Sequence, residues 1–377
     1  MNKYFSNNQS IQFIEFLKSF SDFKISPIGY SENHSPILLI QFGRGDYPVL
    51  MWSQMHGNEP TTTYGVKYLL EWIAVNSLSS SENYRDIQTI MSNIQVSIIL
   101  QLNPDGALLY QRENFNGIDL NRDAQSLSQA ESQILYQLHQ QQAPALACNL
   151  HDQRTVFAAG VGGYPAAISF LAPAADKQRN VTPARAIAMH YIVEMSNHLN
   201  QFVPERISRY SDSFNRHCFG DTFTKLGTPT ILFEAGFVPG DYQRYTAAQL
   251  IYRSLKFLLK TASTSPPTSG TDDTEQYRLI PENKVEYADL LLKNVKVKIN
   301  DEVRHYQKLY VLLKEQMINQ KIFFLPTVDQ SDDFVYKKAH FTIDCSHRNP
   351  LESISNQNFI QILDADLSQF IQSHLTV

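Results

Sequence analysis

The sequence predicts an α/β domain with a mostly parallel sheet and helices on both faces, followed by a small C-terminal α+β or β-rich unit. Two observations carry the first part. Apolar β-rich runs alternate with helical segments across residues 36–261, and three runs end at, or just before, His56, His151 and Glu234. Strand–helix alternation builds parallel sheets flanked by helices. In open α/β sheets, sites form in the crevice outside the carboxyl ends of the strands. A third observation divides the chain. Residues 261–276, TASTSPPTSGTDDTEQ, are poor in apolar residues and read as a flexible linker. The expected units are therefore 1–261, a linker at 262–276, and a C-terminal accessory unit at 277–377.

Each element has its own reason. Ile11, Phe13, Ile14, Phe16, Leu17 and Phe20 fall at helical spacing, so residues 9–20 read as a surface helix. Residues 36–42 and 49–54 read as strands, the second apolar enough to be central. A helix is expected over 61–74, while 87–91 fits either type. The run 94–102, IQVSIILQL, is a strand that stops at the turn signal Asn103-Pro104-Asp105-Gly106. Ser128 and Glu131 stand in capping-box spacing for a helix over 126–142. Residues 145–150 form a short strand ending at His151, and 152–182 read as a long loop containing GVGGYP. Loops of that length inside a domain tend to carry function. A helix over 184–199, a strand over 229–233 and a closing helix over 245–261 complete the domain. Beyond the linker, 289–299 and 322–328 read as strands and 359–375 as an amphipathic helix.

Composition narrows the function. The chain of 377 residues is 43% hydrophobic and carries a formal charge of −5, enough apolar material for a sizeable core and no basic block. Nucleic acid and anionic membrane are not expected partners. The N-terminus lacks the apolar stretch of ~7–15 residues of a secretory signal, and no run approaches the ~18 apolar residues of a span. Cys148, Cys218 and Cys345 are too scattered for a disulfide framework. The cytoplasm is the expected compartment.

Chemistry concentrates in a few motifs. VLMWSQMHGNEP at 49–60 ends an apolar run in a polar turn holding His56 and Glu59. Zinc accepts imidazole nitrogen at ~2.0–2.1 Å and carboxylate oxygen at ~2.0–2.2 Å, which two residues of one turn can supply. Gly57 permits the bend, and Pro60 suits a first helical turn. The segment YQRENFNGIDLNRD at 110–123 holds Arg112, Asn121 and Arg122, and guanidinium groups are the usual partners of carboxylates. His151 is followed at once by Asp152, Gln153 and Arg154, unlike a core histidine, and a carboxylate directly after Ile231-Leu232-Phe233 needs a partner.

Together, HGNE at 56–59, NPDG at 103–106, Arg112, GIDLNR at 117–122, the strand-end His151 and FEAG at 233–236 resemble the M14 family of zinc metallocarboxypeptidases, in that family's order. The resemblance implies a three-layer α/β/α fold with a central mixed sheet. It implies one Zn²⁺ per chain held by His56, Glu59 and His151, with Glu234 as general base. Arg112 would stabilise the oxyanion, and Asn121 with Arg122 would grip the substrate's terminal carboxylate. Tyr210 is the candidate for a mobile tyrosine that the family places in this region. Asp119 reads as a turn residue or as a support behind a ligand. Asp123 stands where the family commonly has Asn, and is expected to oppose a second acidic group. The spacing from Asn121 to His151 is compact, so the digestive enzymes' specificity pocket does not carry over.

The resemblance implies a hydrolase that releases a C-terminal amino acid from peptides, with water activated at the metal and Glu234 taking its proton. HGNE and DLNR also occur in the aspartoacylase and succinylglutamate desuccinylase relatives, which makes a zinc amidohydrolase of N-acyl amino acids the alternative. A non-catalytic binding protein on the same scaffold is a third reading, disfavoured because all three ligands and the base are present. Either enzyme would take a substrate with a free carboxylate. The accessory unit is expected to supply neither ligand nor base, and to wall the cleft or bind a partner. The sequence leaves the oligomeric state open.

Overall fold

The computed structural model describes residues 3–268, 273–300, 302–329, 336–355 and 359–375. In chain order come α1 (Asn7–Lys18), β1 (Lys24–Tyr30), β2 (Pro36–Gly43), β3 (Tyr47–Ser53), α2 (Thr61–Asn76), α3 (Tyr84–Asn93) and β4 (Ile94–Ile99). Then follow α4 (Pro104–Leu109), α5 (Ala130–Gln142), β5 (Leu146–Asp152), β6 (Phe157–Ala159), β7 (Ile168–Leu171) and α6 (Pro183–Leu199). The unit ends with β8 (Ile207–Arg209), α7 (Phe219–Lys225), β9 (Thr230–Ala235) and α8 (Tyr245–Thr264).

An eight-stranded sheet in the order β1-β2-β4-β3-β5-β9-β7-β8 organises this part. The pairings β4–β3, β3–β5 and β5–β9 are parallel, as is β7–β8, while β1–β2, β2–β4 and β7–β9 are antiparallel. The sheet is therefore mixed, with its parallel part at the centre. Strand β3 shows why its sequence reads as one continuous apolar run. Val49 and Met51 enter the core beneath α1, α2, α3, α6 and α8, while Leu50 and Trp52 enter a second core with Leu135 and Leu138 of α5 and Phe219 and Phe223 of α7. Both faces are covered, so both parities of side chain are apolar. The expected three layers are present.

The elements depart from expectation where local chemistry competes. Residues 87–91 lie in α3, a helix. NPDG opens a helix instead of ending a strand in a free turn: Asn103 is the N-cap of α4, its side chain accepting the Gly106 amide at 2.8 Å, and Pro104 sits in the first turn. The Ser128–Glu131 capping box does not form. The Ser128 amide and hydroxyl both donate to Asp123 Oδ1, at 3.1 and 2.8 Å, and α5 starts only at Ala130. The 152–182 loop contains strands β6 and β7. Strands β1 and β8 and helix α7 had no clear sequence signal.

The C-terminal region is β-rich. It comprises α9 (Thr274–Leu279), β10 (Asn283–Val285), β11 (Tyr287–Ile299), β12 (Glu302–Ile318), β13 (Lys321–Asp329), β14 (Lys338–Asp344), β15 (Leu351–Ser355), β16 (Phe359–Leu363) and α10 (Ala365–Leu375). Strands β12, β13, β16, β15 and β11 follow one another in a sheet that closes through an added β11–β12 pairing, with β14 alongside β11. The expected helix over 359–375 is thus a strand and then a helix. Of the expected linker, 262–264 and 274–276 are helical and 269–272 lie outside the described residues. The two regions share structure. Strand β10 pairs with β6, and Tyr4, Tyr110, Phe237 and Tyr242 join the apolar core of the β-rich region. Among the described residues, no helix is long and apolar enough to cross a membrane.

Candidate metal centre and active site

The site lies at the carboxyl ends of β3, β5 and β9. Period-2 alternation places its side chains: on β5 and β9 one parity enters the core, leaving Asn149, His151, Leu232 and Glu234 on the face that lines the cleft. Register does the rest, pairing His151 with Glu234 and Asn149 with Leu232. After β3 the chain turns through Gln54–Pro60. Gly57 is required there by contact, since a Cβ would stand 1.9 Å from the Gly106 carbonyl carbon. Asn103 ties this turn to the arginine loop, its amide donating to Met55 O and Glu113 O, both at 3.2 Å. Asp152 caps α2 just after the turn, accepting the Thr61 and Thr62 amides at 2.8 and 3.1 Å.

His56, Glu59 and His151 come together as the motif spacing implied, all buried, with one ligand atom from each within 4.8 Å of the others. The Glu59 carboxylate lies between the rings: Oε1 is 2.9 Å from His56 Nδ1 and Oε2 is 2.8 Å from His151 Nδ1. Behind them, His56 Nε2 is 3.0 Å from Asp119 Oδ1, which fixes the ring and leaves Nδ1 as the donor atom for a metal. Two imidazoles and a carboxylate converging from one side fit zinc, whose catalytic sites take three such protein ligands.

Charge in the site follows from crowding. Burial works against a charged His56, but Glu59 and Asp119 outweigh it and hold the ring above the usual imidazole range. Burial dominates at His151 and lowers it, favouring the neutral, ligating form. For Glu59, burial is overcome by the two imidazoles, and the carboxyl falls well below the usual range. Glu234 goes the other way. Burial pushes it well up, Glu59 and Asp152 add to this, and Arg112 opposes.

The remaining expected residues line the same cavity of about 760 Å³. Arg112 donates Nε to Asp119 Oδ2 at 3.0 Å and Nη1 to Glu59 Oε1 at 3.3 Å. Asn121 lies with Nδ2 3.5 Å from His151 Nε2, and its Oδ1 accepts the Phe219 amide at 3.1 Å. Arg122 is exposed to the cleft, with Nη1 donating to Asn121 O at 2.7 Å and to Cys218 Sγ at 3.2 Å. Tyr210 also lines the cavity, its ring edge against Phe157, and burial together with Glu234 raises its hydroxyl. Asp123 is a correction. It is turned into the cap of α5 and does not line the cleft, so it has no part in discriminating acidic groups.

Several cleft residues lie outside the motifs. Leu313, Lys314 and Glu315 of β12 form one wall. Glu315 accepts from Lys3 Nζ and from the Tyr110 hydroxyl, so the N-terminus, the arginine loop and the β-rich region meet in one buried knot. Nothing in a strand rich in alternating polar residues marks Glu315. Asn149 had a signal: it is the polar residue sharing parity with His151 in an otherwise apolar run.

Comparison with known proteins agrees with this geometry. Residues 11–156 match the profile of the zinc carboxypeptidase family. Carboxypeptidase E of Caenorhabditis elegans is 32% identical over 130 residues, which are 29% of this chain and 26% of that protein. Carboxypeptidase SOL1 of Arabidopsis thaliana is 31% identical over 111 residues, 26% of this chain and 21% of that protein. The matched stretch thus spans about a quarter of the length of these curated relatives. Among solved structures, the metallo-carboxypeptidase of Burkholderia cenocepacia superposes with a TM-score of 0.54 at 13% identity, over 68% of this chain and 69% of that one. Carboxypeptidase A of Helicoverpa armigera gives 0.54 at 16% identity, over 70% and 74%. The family read from the motifs is the one the comparisons find: over residues 11–156 the chain carries the zinc carboxypeptidase signature, within a carboxypeptidase-like α/β fold that has a further β-rich C-terminal region.

Proposed function

We propose that the chain is a zinc-dependent carboxypeptidase that hydrolyses the last peptide bond of a substrate with a free C-terminal carboxylate. The observation that carries the reading is the convergence of His56, Glu59 and His151 beside Glu234, in one cavity with Arg112, Asn121 and Arg122. His56, Glu59 and His151 hold one zinc ion. Bound there, zinc supplies Lewis acidity and lowers the pKa of water to about 7. Arg122 and Asn121 take the terminal carboxylate and fix the substrate's direction. Glu234, kept poorly solvated by burial, accepts a proton from the attacking water and returns it to the leaving amine. Arg112, anchored by Asp119, faces the charge that develops on the carbonyl oxygen.

One observation favours the second reading, hydrolysis of an N-acyl amino acid. The knot of Glu315, Lys3 and Tyr110 walls the cleft, which suits a short acyl portion. For the units, we retain a catalytic region over 1–261 and a C-terminal region that supplies neither ligand nor base but shapes the cleft. The proposed compartment is the cytoplasm, in keeping with three free cysteines. Peptides or N-acyl amino acids are the proposed partners, with no role for nucleic acid or membrane.

The test is hydrolysis of free-acid peptides, their C-terminal amides and N-acyl amino acids, with and without a chelator. Chelator-sensitive cleavage of free-acid peptides is expected, with metal content near one zinc per chain falling in His151→Ala. Metal at wild-type stoichiometry in that variant removes His151 from the site. Cleavage confined to N-acyl amino acids selects the second reading.

A further inference from the structure

We propose that the arginine-lined cavity behind the Tyr210 segment is a binding site for a phosphate-class oxyanion, and that an anion there loosens one wall of the cleft. The site stands on its own residues. Its effect on turnover rests on the carboxypeptidase reading of the cleft.

The cavity, of about 580 Å³, shares no lining residue with the catalytic cleft. Four guanidinium groups line it, from Arg179, Arg185, Arg209 and Arg278, against the carboxylates of Asp212 and Glu282. Arg185 of α6 is 1% exposed and rigidly held. Its Nε donates to Ala172 O at 3.1 Å and its Nη1 to Arg179 O at 2.6 Å, which leaves Nη2 for Asp212. Arg209, at the end of β8, donates Nε to Ile280 O at 3.0 Å and Nη1 to Glu282 Oε2 at 3.3 Å. Arg278 pairs with Glu275 at 2.8 Å. Each lining carboxylate is already shared, Asp212 between Arg179 and Arg185, and Glu282 between Arg209 and Lys284. Among the described residues, no other carboxylate pairs with Arg179, Arg185 or Arg209. A guanidinium carries five N–H donors, so these side chains hold more donors than the carboxylates and carbonyls take up. Guanidinium forks match phosphate oxygens two at a time, and a concave group of them, one buried and fixed in advance, suits such an anion.

One short segment separates this cavity from the cleft. Tyr210, Ser211, Ser213 and Asn215 line the cleft, while Asp212, between them in sequence, lines the arginine cavity. The segment has no regular secondary structure. It is tied at its ends, where the Tyr210 amide donates to Phe170 O at 2.8 Å and the Asn215 amide to Asp221 Oδ1 at 3.1 Å. Asp212 is the latch between those ties. Its Oδ1 accepts from Arg179 Nη1 at 3.1 Å, and its Oδ2 accepts from Arg185 Nη2. Burial works against the Asp212 charge, but Arg185 and then Arg179 overcome it and hold the carboxyl below the usual range. An oxyanion that reaches these guanidinium groups competes with Asp212 for their donors and meets it as a like charge. Binding therefore weakens the latch and frees the stretch that carries Tyr210. The coupling is reciprocal: a closed latch weakens the anion by the same factor.

The experiment titrates the zinc-loaded full chain with inorganic phosphate at constant ionic strength, by calorimetry. Phosphate also meets the zinc, so the signal that counts is the one lost in Arg209→Gln, a residue that neither bonds Asp212 nor lines the cleft. Expected is binding roughly tenfold or more weaker in Arg209→Gln and in Arg179→Gln, and roughly tenfold tighter in Asp212→Asn, which removes the competing charge. Where Arg209→Gln fails to fold, Arg179→Gln, whose side chain is 54% exposed, carries the comparison. Adenosine monophosphate, titrated in parallel, separates the sources: binding tighter than phosphate with the same variant pattern assigns a phosphate monoester, and weaker binding assigns the free ion. In peptide hydrolysis, phosphate should lower kcat/KM by roughly fivefold or more in the wild type and leave Arg209→Gln unchanged. Equal phosphate binding by the wild type and both arginine variants overturns the site. Variant-sensitive binding with kcat/KM unmoved, or with no tightening in Asp212→Asn, upholds the site and overturns the latch. Cleavage of no peptide overturns the peptidase reading, and the calorimetry still decides the site.

Discussion

Replacing Glu315 by alanine tests whether the β-rich region is tied into the cleft. In the native knot the side chains of Lys3 and Glu315 are only 5% and 25% exposed. Burial already pulls Lys3 below the usual lysine range, and the Glu315 charge is the main influence holding it up. Without Glu315 the ammonium and the Tyr110 hydroxyl lose their shared acceptor. Breaking a buried ion pair from one side costs about 3–5 kcal/mol. The quarter exposure of Glu315 and the freedom of Lys3 to shed its proton reduce this to roughly 2–4 kcal/mol. At about 2.1 cal/mol/K per residue, a chain of 377 residues shifts by roughly 1.3 °C per kcal/mol, so the melting temperature should fall by roughly 3–5 °C. Calorimetric melts of Glu315→Ala, Lys3→Met and the double variant Lys3→Met/Glu315→Ala form the assay. The double variant should be more stable than the sum of single losses allows, because removing both partners leaves no stranded charge. A Glu315→Ala protein melting within about 1 °C of wild type, or strict additivity across the cycle, would refute the knot.

Three further outcomes are expected. Glu234→Gln keeps its shape and its zinc but loses ~10²–10⁴-fold in turnover, measured under saturating substrate, and a loss below about tenfold assigns the base elsewhere. Arg122→Ala narrows the wild-type preference for free-acid over amidated peptides, and equal rates on acid and amide in the wild type remove the carboxylate-reading role. His139, stacked on Phe223 and bonded to Thr228 at 2.8 Å, is pulled by burial to about 4. Its folded pKa is thus below its unfolded value of about 6.5, so the unfolded chain binds more protons between those values and stability is lost as pH falls through them. The loss reaches roughly 3 kcal/mol at pH ~4, and melts of His139→Gln over that window should show a shallower fall.

Sequence made some of this legible and hid the rest for physical reasons. The parallel strands were readable because burial on both faces leaves runs such as Val49–Trp52 with no polar interruption. The candidate metal cluster was readable because His56 and Glu59 share one turn and His151 ends a strand. Strands β1, β8 and β10 are short or peripheral, and their patterns are too brief to separate from loop. The capping box at Ser128 failed because Asp123, five residues earlier, offers a carboxylate that competes for the same hydroxyl. Asp221 was hidden for a different reason: only the fold of α7 against β5 and β9 brings it to the cleft. Glu315 depends on a contact spanning 312 residues, which no local pattern encodes.

That separation has a consequence in time. Tyr110 and Glu315 lie 205 residues apart. At a synthesis rate of about 5–20 residues per second, the arginine loop leaves the ribosome roughly 10–40 seconds before its partner strand is made. Before that interval ends, His56, Glu59, His151 and Glu234 have all been translated, while the wall of the cleft has not. Tyr4, Tyr110, Phe237 and Tyr242, later shared with the β-rich core, must wait uncovered. A nascent chain of this protein therefore carries these aromatics without their β-rich partners until β12 has been translated.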